Sequence, residues 1–221
     1  MELTWISLQL LIISSHVWGQ DNDDGANVKK ESSGESDMEL KRFQKLFHQK
    51  RLQQQEATQS ILASYDYQQQ FKLIDMLFDK MQQILSESRS KLSESSFSPG
   101  MSFPTDETTK EGLSLLLENL AFFGDITLRL PDITHSLYSK KKQLREVLRW
   151  AVTYTEETGF FDDIHKKLMN LMSQELRLIK RDSDYINPFK KEEVPPELPT
   201  PKKKKEKKPR KKGPRISRTE L

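Results

Sequence analysis

The chain of 221 residues contains no cysteine. That excludes disulfides, thiol chemistry and every cysteine metal site, so the fold must hold by packing alone. Glycine is scarce, with 8 residues, and none forms a phosphate-cradling loop. There is no Asn-x-Ser/Thr sequon: Asn22, Asn27, Asn119, Asn170 and Asn187 all fail the pattern, which predicts a chain without N-glycans. No apolar run reaches the ~20 residues that cross a bilayer. His48, His135 and His165 share no ligand spacing with one another, so no zinc site is expected. No serine sits in a nucleophile elbow. The acid pairs Glu156-Glu157 and Asp162-Asp163 fit helix ends better than general acid–base work. The expectation is a non-enzymatic protein with no cofactor.

Both ends of the chain read as addresses. Leu3, Trp5, Ile6, Leu8 and Leu10 to Ile13 form a short apolar core, the length of a secretory signal. Val17 and Gly19 place small residues at the −3 and −1 positions of a cut between Gly19 and Gln20. Glu2 stands where such signals carry Lys or Arg, which keeps an uncleaved anchor or a buried N-terminal helix as alternatives. Arg218, Thr219, Glu220 and Leu221 form a variant of the Lys-Asp-Glu-Leu retrieval tail, with Thr219 in place of its acidic residue. Together they predict the lumen of the endoplasmic reticulum, with retrieval by a receptor, partial secretion and no stable membrane insertion.

The net charge of +3 is unevenly spread. Residues 202–221 carry eleven Lys/Arg and two Glu, which is +9 and leaves −6 for the rest. Lys202, Lys203, Lys204, Lys205, Lys207, Lys208, Arg210, Lys211 and Lys212 make the basic tail. In a nuclear protein it would suit nucleic acid. It lacks interleaved aromatics, and a working signal puts nucleic acid out of reach. An arm that docks on an acidic protein and a plain spacer that presents Leu221 are the two remaining readings.

Between the addresses the apolar period is helical. Leu40, Phe43, Leu46 and Phe47, then Phe71, Ile74, Leu77, Phe78, Met81, Ile84 and Leu85, recur at threes and fours. Heptads are too irregular for a dimeric coiled coil, and a helical hairpin is expected over this stretch. Residues 93–104 hold serines, Pro99-Gly100 and Pro104 and read as a loop. Thr108 with Glu111 fits a capping box. From Glu111 to Leu130, Leu and Phe cover an arc of roughly 240°, which predicts a central helix. Glu111, Glu118, Asp125 and Arg129 fall on its remaining stripe, with Asp125 and Arg129 spaced to pair. Pro131 ends that helix or kinks it. Residues 143–158 form a further helix stopped at Gly159, with Trp150 placed in the core. Residues 161–179 form the last, with Ile164, Leu168, Leu171, Met172 and Leu176 inward and Asp162 or Asp163 as cap. The fold class is therefore all-α: a bundle of about five helices around a central apolar helix. It divides into a signal over 1–19, a disordered acidic segment over 20–37, a helical domain over 38–187 and a disordered Pro/Lys-rich tail over 188–221.

Several segments carry a family resemblance, in order: Asn119 to Pro131, with Phe122, Phe123, Gly124, Asp125 and Arg129; Arg149-Trp150; Thr158-Gly159; Met172 to Leu176; Asp182-Ser183; Asn187-Pro188-Phe189; and Gly213 to Arg218. With these the chain resembles the coiled-coil domain-containing protein 134 family. The resemblance implies a small lumenal adaptor, partly secreted. It implies a role in biogenesis of endoplasmin, the reticulum Hsp90 chaperone, by tethering it at the translocon and oligosaccharyltransferase and limiting excess glycosylation. It also implies a cytokine-like extracellular role that damps MAP-kinase signalling. Glu156 stands where the family carries the Asn of a sequon, and the terminal tetrapeptide differs too. From Asn119 to Asp125, together with Arg129 and Trp150, the matched residues are candidates for core or for an interaction segment.

Overall fold

The computed structural model describes residues 32–190. They form six helices: α1 (Ser32–Ser64), α2 (Tyr67–Glu94), α3 (Glu107–Arg129), α4 (Pro131–Lys140), α5 (Lys142–Thr158) and α6 (Asp163–Glu175). No strand occurs among the described residues, and no helix there is long and apolar enough to cross a membrane. The all-α expectation holds. The first helix, however, starts at Ser32 rather than near Met38. The Ser36 hydroxyl donates to the Phe103 carbonyl at 2.7 Å, which ties this added turn to the loop before α3.

α1 and α2 are separate helices because Asp66 stops one and starts the other. Its backbone is extended, its side chain accepts from Gln69 N at 2.9 Å, and Gln69 Oε1 accepts from Asp66 N at 3.0 Å. This reciprocal box satisfies two orphan donors of α2. Gln70 Nε2 donates to the Tyr65 carbonyl at 2.8 Å, which serves the end of α1. The glutamines 68–70 thus build the break. The expected hairpin does not close: α1 and α2 each pack on α3 instead of along each other.

α3 is the axis of the molecule and touches α1, α2, α4, α5 and α6. Apart from Glu111, every residue from Thr109 to Leu128 is buried. Its cap is Asp106, whose carboxylate accepts from Thr109 N at 2.9 Å, so Thr108 is not the N-cap. Glu111 is left to pair with Lys91 of α2 instead of closing a box. Gly124 lets α6 come close, since a Cβ there would lie 3.0 Å from Met169 Cε and 3.1 Å from Leu168 Cγ.

Pro131 occupies the first turn of α4, where its missing N–H costs nothing. Gly159, with φ 71°, ends α5 in the left-handed region as predicted. Asp162 caps α6 by accepting from His165 N at 2.8 Å. α6 buries Met169, Met172 and the following Leu176, while Leu168 and Leu171 are half-buried. Ile164 is 76% exposed, against expectation. It lies five residues before Met169, so it points about 140° away from the buried stripe. The loop before α3 is more than a connector. Phe103 stacks on Phe43 at 5.1 Å and meets Phe160 edge-on at 5.2 Å.

The core centre is legible in one pair: Phe123 of α3 and Phe78 of α2 are fully buried, with ring centroids 4.8 Å apart. Phe123→Ala is expected to cost about 3–5 kcal/mol in urea unfolding, the usual range for deleting a buried aromatic.

Candidate functional site

The candidate segment on α3 is core. Phe122, Phe123 and Gly124 have no exposed side, and Asn119 is buried with its amide donating to the Leu115 carbonyl at 2.9 Å. Trp150 of α5 packs half-buried against the core, beside Tyr154 at 5.1 Å, with the Arg89 guanidinium 5.5 Å from its ring. Asp125 and Arg129 do not pair. Asp125 binds Arg51 of α1 instead, and the Arg129 guanidinium lies over the Phe189 ring at 4.0 Å. Spacing along one helix could not reveal a partner 74 residues away. Gly19, Gln20, the basic tail from Lys202 to Lys212, and Arg218 to Leu221 lie outside the described residues.

The polar stripe of α3 is sealed by α1 rather than open to water. Arg51 and Asp125 form an ion pair whose side chains are 4% and 6% exposed. Arg51 also donates to Gln54 Oε1 at 2.6 Å, and Gln54 Nε2 donates to the Glu118 carbonyl at 3.3 Å. Removing one partner of such a pair strands a charge in the interior and costs about 3–5 kcal/mol. Glu118 is only 8% exposed, and its Oε2 has no hydrogen-bond donor among the described residues. Burial lifts its pKa from the ordinary 4.5 to about 7, against the pull of the Lys50 ammonium. Burial lowers Lys50 in turn, with Glu118 opposing. Burial also lowers His165 of α6, despite Asp162 beside it. This layer fixes how α1 sits on α3. Its residues belong to the helix interface and line neither of the open clefts. Among the described residues no group of three or more His, Asp or Glu could hold a metal ion.

An open cleft of about 570 Å³ lies at the far end of α3. Its walls come from the start of α4 (Pro131, Asp132, His135), the end of α6 (Glu175) and the strap over residues 177–190. Glu175 is its hub. It accepts from His135 Nε2 at 3.0 Å, from Arg181 at 3.3 Å and from the Tyr185 hydroxyl. Burial would raise its pKa, but the hydrogen bonds from Tyr185 and His135 and the charge of Arg181 hold it below the usual value. Tyr185 is pushed up, first by burial and then by Glu175. Asn187 is buried and donates to the Leu128 carbonyl at 2.9 Å, which latches the strap to the end of α3. Asp182 N donates to Gln174 Oε1 at 2.9 Å, and Gln174 Nε2 donates back to Asp182 at 2.8 Å. Sequence periodicity passes over this site, because the strap is irregular and its partners are side chains rather than a repeating stripe. Asn187-Pro188 reads there as a domain end, when Asn187 is an anchor.

The raised Glu118 sets a pH dependence. The folded chain keeps this proton up to about pH 7, while the unfolded chain releases it near 4.5. The group's contribution is therefore complete below about 4.5 and is lost as pH rises through 7. Glu118→Gln removes the titration. Relative to the parent, the variant is expected to gain up to about 3 kcal/mol between acidic and mildly alkaline buffer. Urea melts at the two pH values measure it; a gap between variant and parent that does not change with pH would contradict the buried carboxyl.

Comparison with known proteins gives the family. A family model described as "ERK and JNK pathways, inhibitor" matches residues 28–217. The chain is 38% identical over 149 residues to coiled-coil domain-containing protein 134 of Xenopus tropicalis, covering 67% of this chain and 65% of that protein. It is 35% identical over 159 residues to coiled-coil domain-containing protein 134 of Mus musculus, covering 72% of this chain and 69% of that protein. The match thus spans about two thirds of the length of these curated relatives. No solved structure matches. On a family match that takes in all six helices and on this identity, the chain belongs to the ERK and JNK pathways inhibitor family, together with coiled-coil domain-containing protein 134.

Proposed function

We propose that this protein is a non-enzymatic adaptor of the endoplasmic-reticulum lumen that works by holding other proteins. The observation that carries the reading is the division of labour in the chain. The α3 segment is consumed by the core, while the open, charged cleft sits where the chain leaves the helical body at Lys190. Eleven Lys/Arg follow within residues 202–221. A packed helical platform with a polar cleft and a basic extension suits protein partners. Signal-like and retrieval-like ends support a lumenal site of action. Within that reading the partner is endoplasmin, tethered at the translocon and oligosaccharyltransferase during its synthesis so that excess glycosylation is limited. Support for it is the resemblance to, and membership of, the coiled-coil domain-containing protein 134 family. A retrieval receptor is the second partner, through Arg218 to Leu221.

A second reading is favoured by the description of the matching family model. Here a secreted fraction of the protein damps ERK and JNK signalling from outside the cell. Both readings pass through the lumen, so protease protection tests the shared step and the level in the medium tests retention. In sealed microsomes the intact protein is expected to resist protease, and deleting Arg218 to Leu221 is expected to raise its level in the medium. Digestion in sealed microsomes would remove the lumenal reading. Deleting Lys202 to Lys212 while keeping 213–221 is expected to leave thermal unfolding of the helices unchanged and to weaken salt-sensitive recovery of endoplasmin. Equal recovery with and without the lysines, at low and at high salt, would reduce them to a spacer.

A further inference from the structure

The strap that closes the Glu175 cleft carries an unusual choice of residue. α6 ends in a tight turn, with Arg177 N donating to the Gln174 carbonyl at 3.2 Å and Leu178 N to the Ser173 carbonyl at 2.8 Å. The turn holds Arg177 at φ 57°, the left-handed region. Glycine fills the equivalent place at the end of α5, and glycine is the residue this geometry favours because it has no Cβ to crowd the carbonyl. Among the described residues Arg177 is the one non-glycine with positive φ. The local backbone gains nothing from an arginine there.

What the arginine does supply is a cation at the cleft. Arg177 is exposed, lines the cleft and makes no side-chain hydrogen bond or ion pair among the described residues. The same is true of Lys190 on the same wall. Arg181 differs, since it is engaged by Glu175 and by the Gln174 carbonyl and lies over the Tyr185 ring at 4.6 Å. The anions are Glu175, already serving four donors, and the exposed Asp132. The open positions of the cleft are therefore mainly cationic. Beside them Ile186 stands 78% exposed between two tethered neighbours, Tyr185 and Asn187. An exposed isoleucine is ordinary on a surface. One held in place by anchors on both sides, next to two unpaired cations, offers a defined apolar contact.

We propose that this cleft docks an extended acidic segment of a partner protein, with carboxylates on Arg177 and Lys190 and an apolar side chain against Ile186. Arginine suits carboxylates because its planar fork can hold both oxygens, and acidic motifs are commonly read by such basic clusters. A small organic ligand fits less well, since such sites are mostly apolar and five of the eleven lining residues here are charged. The inference rests on the adaptor reading only in taking a protein segment as the ligand.

The test uses the full chain and a fluorescein-labelled synthetic peptide, in which aspartates and glutamates flank one leucine. A control peptide replaces the acids with their amides. Fluorescence anisotropy reads the affinity. Arg177→Gly is expected to weaken the acidic peptide about threefold to fivefold, the scale of one exposed ion pair. Its thermal stability should equal or exceed the parent's, because glycine relieves the turn. Arg177→Lys should keep most of the affinity, and Arg177→Gln should lose it without the change in backbone freedom. Lys45→Ala removes one positive charge from α1, away from the cleft, and controls for net charge and for binding through the basic tail. Equal affinities for Arg177→Gly, Arg177→Gln and Lys45→Ala would overturn the proposal. So would a parent protein that binds the acidic peptide no better than its amide control. Recovery of endoplasmin by the same variants keeps the two ideas apart. Peptide binding that depends on Arg177 without endoplasmin recovery supports the cleft and removes that partner. Endoplasmin recovery indifferent to Arg177, with no peptide effect, removes the cleft and leaves the adaptor.

Discussion

Complete enclosure of α3 is the constraint on which the rest of the structure depends. A helix with leucine and phenylalanine over most of its circumference cannot lie at a surface, so other helices must wrap it. Wrapping then creates a second demand. Glu118 and Asp125 go inside with the apolar residues, and a carboxylate without a partner is costly there. α1 answers with Arg51, Gln54 and Lys50 at the matching height. The answer is uneven: Asp125 has the Arg51 guanidinium, whereas burial outweighs the Lys50 charge at Glu118, which holds its proton more tightly. The same enclosure accounts for Gly124, because α6 can cover α3 only where a side chain is missing.

Much of this was readable from residues alone, and the failures share a cause. Residue patterns gave the helices, the central role of α3, the stops at Pro131 and Gly159, and a cap at Asp162 or Asp163, of which the structure takes Asp162. These signals are local, acting within one or two turns. Periodicity misjudged Glu118 and Asp125 because a polar stripe on one helix looks the same whether water or another helix faces it. The supposed Asp125–Arg129 pair failed for that reason: a better-placed guanidinium arrives from α1. Thr108 lost its role to Asp106 because either residue could have begun the helix, and the carboxylate captured the Thr109 amide. Ile164 reads as inward with Leu168 and Leu171, although the buried stripe runs through Met169 and Met172. The Asp66 break was legible, since Asp-x-x-Gln is a capping pattern, but the glutamine run hid it as mere helix-compatible polarity.

The candidate site divides along the same line. The α3 segment that carries part of the family resemblance is structural: its residues pack in the core. The cleft at Glu175 was invisible, because its members come from α4, α6 and an irregular strap, and their hydrogen bonds connect side chains 6 to 40 residues apart. Such a site has no period. Its one local hint is Arg177, where a helix that ends in a left-handed turn carries arginine instead of glycine.

The distance along the chain between Arg51 and Asp125 bears on synthesis. The two residues are separated by 74 positions. At about 5–20 residues per second, that interval is on the order of 4–15 s of translation. Throughout it, α1 has emerged with Phe43, Phe47 and Ile61 uncovered and a cation awaiting its counter-charge. Its apolar face is complete only when α3 follows. Until then the nascent chain offers holding factors an uncovered apolar face.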